Sequence, residues 1–278
     1  MIFNTKAFAE FNKHKCDNIH YLDYDGISII LGEKEGALYS PFSAPFGGFS
    51  SLQKMPSLEQ IECACNSLGK LNKKINITFP PPFYGESFIS KCTSATLNNG
   101  FKMDYADLNY HFDLTEEIKM RHNSKNAWNI AVRNNLRMNL KNDDESMQIA
   151  YKIIANNRNE RGYPPHLPME EICETAKATN TCLDCFLVHE AQEPIAAALV
   201  FTIEQKRALV VLWGDNRKKK QLHPMTFLAV SMAQHYKSQG YLSLDMGPSS
   251  KNGIPNHGLC SFKEGLSCKV TLKLTVKL

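Results

Sequence analysis

The sequence predicts an α+β chain in which helices flank mixed sheets and one order of elements is used twice. Three observations carry this. Short apolar runs such as 27–31 (ISIIL), 75–79 (INITF) and 195–201 (IAAALVF) read as buried strands, and they alternate with longer stretches of helical spacing. Each half then runs through a hairpin or meander, a helix opened near proline, a short strand, a loop and a long last strand. Hydrophobic residues make up 43% of the 278 and charged residues 22%, the balance of a globular chain that buries a core.

Taken in order, 26–49 reads as a hairpin: ISIIL, a turn at GEKEG, then ALYSPF. Leu58, Ile61, Cys65, Leu68 and Leu71 share one helical face, and Pro56-Ser57 suits the start of that helix. INITF is a strand stopped by Pro80-Pro81-Pro82, and 86–100 is a helix ended by Asn-Gly. A long, partly alternating strand follows over 101–114. The stretch 124–142 reads as one helix with Trp128, Ala131, Leu136 and Leu140 on its apolar side and Arg133 and Arg137 four apart. Two more helices, a three-stranded meander and a helix from Pro224 to Gly240 come next. The strand YLSLDMG then enters a long polar segment, GPSSKNGIPNHG, and CKVTLKLTVKL is the last strand. Most connections run about 4–6 residues, so a loop this long reads as a working loop.

Composition excludes several classes. A net charge of +4 is too small to mark a nucleic-acid protein, and the NRKKKQ run is a local basic patch. No apolar run approaches the roughly 18 residues of a membrane span. The first residues turn polar too early for a signal peptide, and nine cysteines without a framework read as reduced thiols, so a cytoplasmic protein is expected. Cys182 and Cys185 have Cys-x-x-Cys spacing, but no second pair follows to complete a four-ligand zinc site; Cys63 and Cys65 point to different sides of a helix. No metal is expected.

Four segments together resemble the FemAB-like acyltransferases, two GCN5-related N-acetyltransferase (GNAT) halves in one chain. SPFSAPFGGF is similar to the family's early glycine-rich segment, and WNIAVRNNLRMNLK to the helix with spaced basic residues. EPIAAALVF resembles the strand entered from a polar turn; SQGYLSLDMGPSS with GLCSFKEGL resembles its Gly, strand Asp, Gly, then Phe-Lys run. The resemblance covers roughly residues 20–278 and implies a tandem GNAT-like fold with halves at 1–120 and 121–278. Two features depart from the pattern: no sustained heptad arm is present, and RKKKQLH stands where an acetyl-CoA-binding signature would lie.

The resemblance implies transfer of an acyl or aminoacyl group from an activated donor to a primary amine on a small molecule or peptide. No tightly bound cofactor is expected; the donor would be acyl-CoA or aminoacyl-tRNA, which would make tRNA a partner. A CoA-dependent small-molecule N-acyltransferase and a non-catalytic binding or scaffold protein are the alternatives. In this fold two strands part and hold the donor arm on bare backbone groups, here 207–215 and 241–247. Lys263 would stabilise negative charge on a carbonyl or phosphate oxygen, Asp245 would orient the acceptor or take its proton, and His257 would be a base. Donor contacts are expected from Trp213, Gly214, Asp215, His223, Gly247, Ser249, Ser250 and Phe262. The helix beginning near Pro224 would offer N–H groups to a phosphate. The acceptor side is expected at Phe46, Gly47, Gly48 and Arg133.

Overall fold

The computed structural model describes residues 3–53, 55–165, 167–203 and 206–278. Along the chain come α1 (Lys6–Phe11), β1 (Asn18–Tyr24), β2 (Ile27–Lys34), β3 (Ala37–Ser40), β4 (Ser50–Ser51), α2 (Leu58–Gly69), β5 (Lys74–Thr78), α3 (Glu86–Asn98) and β6 (Lys102–Asp113). They are followed by α4 (His122–Arg133), β7 (Arg137–Leu140), α5 (Asp144–Glu160), α6 (Met169–Ala178), β8 (Cys182–Glu190), β9 (Glu193–Ile203), β10 (Arg207–Asp215) and α7 (Pro224–Ser238). The chain continues with β11 (Ser243–Pro248), β12 (Ser250–Lys251), β13 (Ile254–Pro255), α8 (His257–Gly265) and β14 (Lys269–Lys277).

These elements form two compact units interleaved in sequence. The first holds Met1–Asn109, Ser250–Pro255 and Thr271–Leu278; the second holds Tyr110–Ser249 and Asn256–Val270. A single boundary at 120/121 assumes contiguous halves. Instead the β12–β13 hairpin and most of β14 return to the first unit.

In the first unit the strand order is β1-β2-β3-β5-β14-β6. The β2–β3 hairpin closes on Glu35 and Gly36, both at positive φ, the two-residue turn that matches strand twist. Ser57 and Gln60 bond reciprocally in a capping box at the start of α2, which fixes the helix where proline and serine predicted it. Ile61, Cys65 and Leu68 of α2 and Ile89 and Cys92 of α3 pack with Ile27, Ile29, Leu31, Ile75 and Ile77 from the strands.

In the second unit the order is β11-β10-β9-β8-β7, antiparallel apart from β10 and β11. Helices α5 and α7 both pack on β8, β9 and β10. The unbroken buried run Ile195–Phe201 of β9 shows that both faces are covered, which is why this strand lacks alternation.

The sequence treats 124–142 as one helix, but α4 stops at Arg133 and β7 begins at Arg137. Asn135 sits in the left-handed region at φ 56°, a conformation asparagine tolerates better than most residues. Leu136 is buried and Leu140 exposed, so the expected apolar face is divided between a helix and an edge strand paired with β8. Within the segment read as a loop, β12 and β13 pair, and α8 is a nine-residue helix capped by the Asn256 side chain.

Candidate functional site

The site in the second unit begins with the geometry of β10. Its parallel pairing with β11 covers Arg207–Leu209 against Ser243–Asp245. A register shift between Val210 and Leu212 follows, and β10 runs on to Asp215 against β9. A bulge bends a strand and strengthens its twist, so the two strands keep company only at their start.

The far end of β11 is held by Lys263. Its ammonium donates to the carbonyl oxygens of Met246 (2.9 Å), Gly247 (2.8 Å) and Pro248 (3.3 Å), and lies 5.6 Å above the Tyr110 ring. The residue is 1% exposed. Burial pushes its pKa down to about 8, with Cys268 and Asp245 opposing that fall. The expected lysine reached into an open cleft; the observed one turns inward and acts as a clamp. The three carbonyls at the end of β11 use its three donors.

Asp245 is also committed. It is 1% exposed, and its Oδ1 accepts the Gly247 N–H at 2.8 Å, shaping the turn below the clamp. Ser249 is 2% exposed with a buried hydroxyl that has no partner among the described residues. Its carbonyl accepts from Asn256 N–H.

Beside β10 lies a cavity of about 370 Å³. Its walls are the first turns of three helices: Asn123 and Ser124 of α4, Pro224, Met225 and Thr226 of α7, and Gly258 of α8. Asp215, Lys220, His223, Ser261 and Phe262 complete it. The first N–H groups of a helix lack partners within the helix and carry its positive end, so three converging helix starts favour an anion or a polarised carbonyl. The Thr226 side chain, in a residue 5% exposed, makes no hydrogen bond among the described residues.

The basic run divides by role. Lys219 is paired with Glu190 at 2.5 Å and Glu193 at 3.1 Å, Arg217 bonds the Glu160 carbonyl, and Lys220 lines the cavity. His223 caps α7 in the left-handed region at φ 53°.

Asp215 is the acidic group of this cavity. It is 7% exposed, and Asn157 donates both to its Oδ1 (2.6 Å) and to its carbonyl (2.8 Å). Burial raises its carboxyl above the usual range, while Arg161, Arg217 and Asn157 pull it back. Gly214 brings β10 against α5: a Cβ there would lie 3.1 Å from Asn157 Cβ and 3.2 Å from Ile154 Cα. Trp213 packs with Phe262, ring centres 6.1 Å apart.

The structure therefore brings Asp215, His223 and Phe262 into one cavity, with Gly214 and Trp213 beside them. His257 is exposed at the start of α8 and Arg133 is exposed at the end of α4. Ser250 belongs to the first unit, where its hydroxyl donates to Asp107 and accepts from Leu108 N–H. Three of the four residues expected on the acceptor side, Phe46, Gly47 and Gly48, are packing positions. Phe46 is 2% exposed among Phe3 and Tyr84. A Cβ on Gly47 would lie 2.6 Å from Ser40 Oγ, and one on Gly48 3.0 Å from the Phe79 ring.

Sequence reasoning misses Asn157 and Thr226 but offers Lys220 through the RKKK run ahead of Pro224. Asn157 carried a signal, as a polar residue in line with Ala150 and Ile154 on the buried side of α5. The two cysteines of the Cys-x-x-Cys pair part company, Cys182 exposed and Cys185 buried with a thiol pushed up to about 12 by burial. Among the described residues no helix is long and apolar enough to cross a membrane.

No protein-family model matches the sequence, and no curated protein is similar to it at the sequence level. Solved structures are similar in fold. FemX superposes with a TM-score of 0.69 at 10% identity, over 100% of this chain and 92% of that one. A conserved protein of unknown function from Bacteroides thetaiotaomicron gives 0.66 at 12% identity, covering 98% and 89%. The structure of L-PGS from Bacillus licheniformis gives 0.63 at 12% identity, covering 96% and 89%. The chain therefore shares the fold of FemX and of L-PGS.

Proposed function

We propose that the chain transfers an acyl or aminoacyl group from an activated donor to a primary amine, with the donor held in the second unit. The observation that carries this is the parting of β10 and β11 after Leu209 and Asp245, beside a cavity walled by three helix starts. Backbone groups on the parted strands suit an extended donor arm. The helix starts and Lys220 suit its phosphate or the oxygen that gains charge.

The balanced reaction is an addition and an elimination. The amine nitrogen forms a bond to the donor carbonyl carbon, and the carbonyl oxygen takes the negative charge. The amine loses a proton, for which Asp215 is the acceptor in this reading, its basicity raised by burial. The carbonyl reforms as the bond to the thiolate or ribose oxygen breaks, and the leaving group takes a proton. Lys263 acts as a positioning residue by holding the end of β11.

Thermal shift with acetyl-CoA, longer acyl-CoAs and aminoacyl-tRNA separates the donor classes, because selective binding to the folded state raises its melting point. Stabilisation by an acyl-CoA alone favours the small-molecule N-acyltransferase reading. Stabilisation by aminoacyl-tRNA alone favours aminoacyl transfer. Silence from every donor defeats the proposal and returns the scaffold reading.

A further inference from the structure

A second cavity, of about 410 Å³, lies wholly within the first unit. Its floor is the sheet face turned away from the unit's apolar core. Tyr39 is opposite Asn76 and Thr78 is opposite Thr275 in the strand registers, so these side chains share that face. Their neighbours Leu38, Ile75, Ile77 and Val276 alternate to the other side and join the core. The strands run β3-β5-β14-β6 beneath the cavity. Tyr39 on β3 and Tyr105 on β6 therefore stand three strand spacings apart, roughly 14 Å, and flank a polar trough.

The trough holds more hydrogen-bonding capacity than the protein uses. Asp107 lines it and is 6% exposed. Its Oδ1 accepts from Ser250 Oγ at 2.6 Å and from Gly253 N–H at 3.0 Å, which fastens the β12–β13 hairpin. Its Oδ2 accepts nothing from the described residues, and a carboxylate oxygen buried without a partner is costly. The Thr78 and Thr275 hydroxyls bond each other at 2.9 Å, which spends one of their two protons. The Asn76 amide and the Tyr39 and Tyr105 hydroxyls, also in the lining, have no hydrogen-bond partner among the described residues. The remaining charged groups are committed. Asp104 is closed by Lys277 at 2.5 Å. Lys273 is engaged with the Pro45 carbonyl at 3.3 Å and with a further group, and is not offered to a ligand.

The unspent groups are one carboxylate oxygen, one threonine proton, an amide that both gives and accepts, and two phenols. A ligand that answers them gives and accepts hydrogen bonds at several adjacent atoms and presents C–H bonds to two aromatic rings. A carboxylate or phosphate only accepts, and would face Asp107. An ammonium only donates, and would leave the amide and threonine protons unanswered. An apolar ligand would strand them all. Hydroxyls do both, and the C–H bonds of a sugar ring suit the negative face of an aromatic ring. We propose that this cavity binds an uncharged saccharide of one or two rings. One hydroxyl donates to Asp107 Oδ2 in a charge-assisted bond, neighbouring hydroxyls bridge to Asn76, and the sugar packs between Tyr39 and Tyr105. The volume lies within the range of about 300–1,000 Å³ usual for small-ligand sites. This site works whether or not the second unit transfers an acyl group.

The test measures binding to the full chain without turnover, so failure of the donor reading leaves it intact. The probes are glucose, galactose, mannose, N-acetylglucosamine, maltose, lactose, cellobiose and chitobiose, the last in its N-acetylated form. They are titrated by calorimetry beside the cation glucosamine and the anion glucuronate. At least one neutral probe binds, about tenfold or more tightly than either charged sugar. Tyr105→Phe, which removes one hydroxyl and keeps the ring, weakens that probe about fivefold. Asn76→Leu, which removes the amide, fills the trough and spares the hairpin bonds of Asp107, abolishes binding. Where Asn76→Leu lowers the melting temperature, Tyr105→Phe decides alone. Silence from every neutral probe, equal or tighter binding of a charged one, or affinity untouched by Tyr105→Phe or by a folded Asn76→Leu overturns the proposal.

Discussion

The Lys263 ammonium lies 2.8 Å from the Gly247 carbonyl oxygen, inside the protein and at the end of β11. Its pKa is pushed down to about 8 by burial, against about 10.4 for an ordinary lysine. Between those values the folded lysine is neutral while the unfolded one still binds its proton. Stability relative to Lys263→Met therefore rises as pH climbs from about 8 to about 10.4, by roughly 3 kcal/mol in total. Urea titrations of both proteins across that window check this; parallel curves would contradict it.

Asp215 and Asn157 make a separable pair. Asp215→Asn removes the proposed proton acceptor and lowers transfer about 10²–10⁴-fold, with little change in melting temperature. Asn157→Ala removes a donor that favours the charged carboxylate. The acid limb of the rate profile then moves to higher pH. A limb that stays put in Asn157→Ala removes Asp215 from the titration.

Gly47 serves packing. A methyl group there would press on Ser40 Oγ and on the Pro41 backbone nitrogen at 2.8 Å. Gly47→Ala is expected to destabilise by about 1–3 kcal/mol, the usual cost of overpacking, seen as a lower denaturation midpoint. An unchanged midpoint with weakened acceptor binding would restore the acceptor-side role.

His223 occupies a conformation that glycine adopts without penalty. His223→Gly should leave stability level or raise it by about 1 kcal/mol, while donor affinity falls because the imidazole leaves the cavity wall. A stability loss with full donor affinity would reverse this assignment.

His111 is pushed down to about 4, chiefly by burial, with Asp113 opposing and Lys269 assisting. An unfolded histidine titrates near 6.5. Below that value the unfolded chain takes the proton first, so stability drains as pH falls from about 6.5 to about 4. His111→Gln should flatten the acid loss by about 3 kcal/mol or less. Denaturation at the two ends of the window tests it.

What could be read in the sequence was what local chemistry decides. The capping box at Ser57, the proline at the start of α7 and the apolar run of β9 each announce themselves within a few residues. α1 and β1 leave little trace in the sequence: one is a short helix capped by Thr5, the other a half-exposed strand whose pattern is weak. At the site, Asp215, His223 and Phe262 were legible because a strand end and a helix start place them together. The burial of Lys263 was not, because lysine is rarely buried and its partners lie 15 to 17 residues away in sequence. The interleaving of the units had no local sign.

That interleaving bears on synthesis. Thr78 on β5 bonds Thr275 on β14, 197 positions later. While the chain is being made, β5 waits beside β3 with one border unzipped until β14, 197 positions further on, has left the ribosome. Pairings so distant are slow to form and leave sticky borders exposed meanwhile, so this protein should lean on chaperones during translation more than a fold of two consecutive domains would.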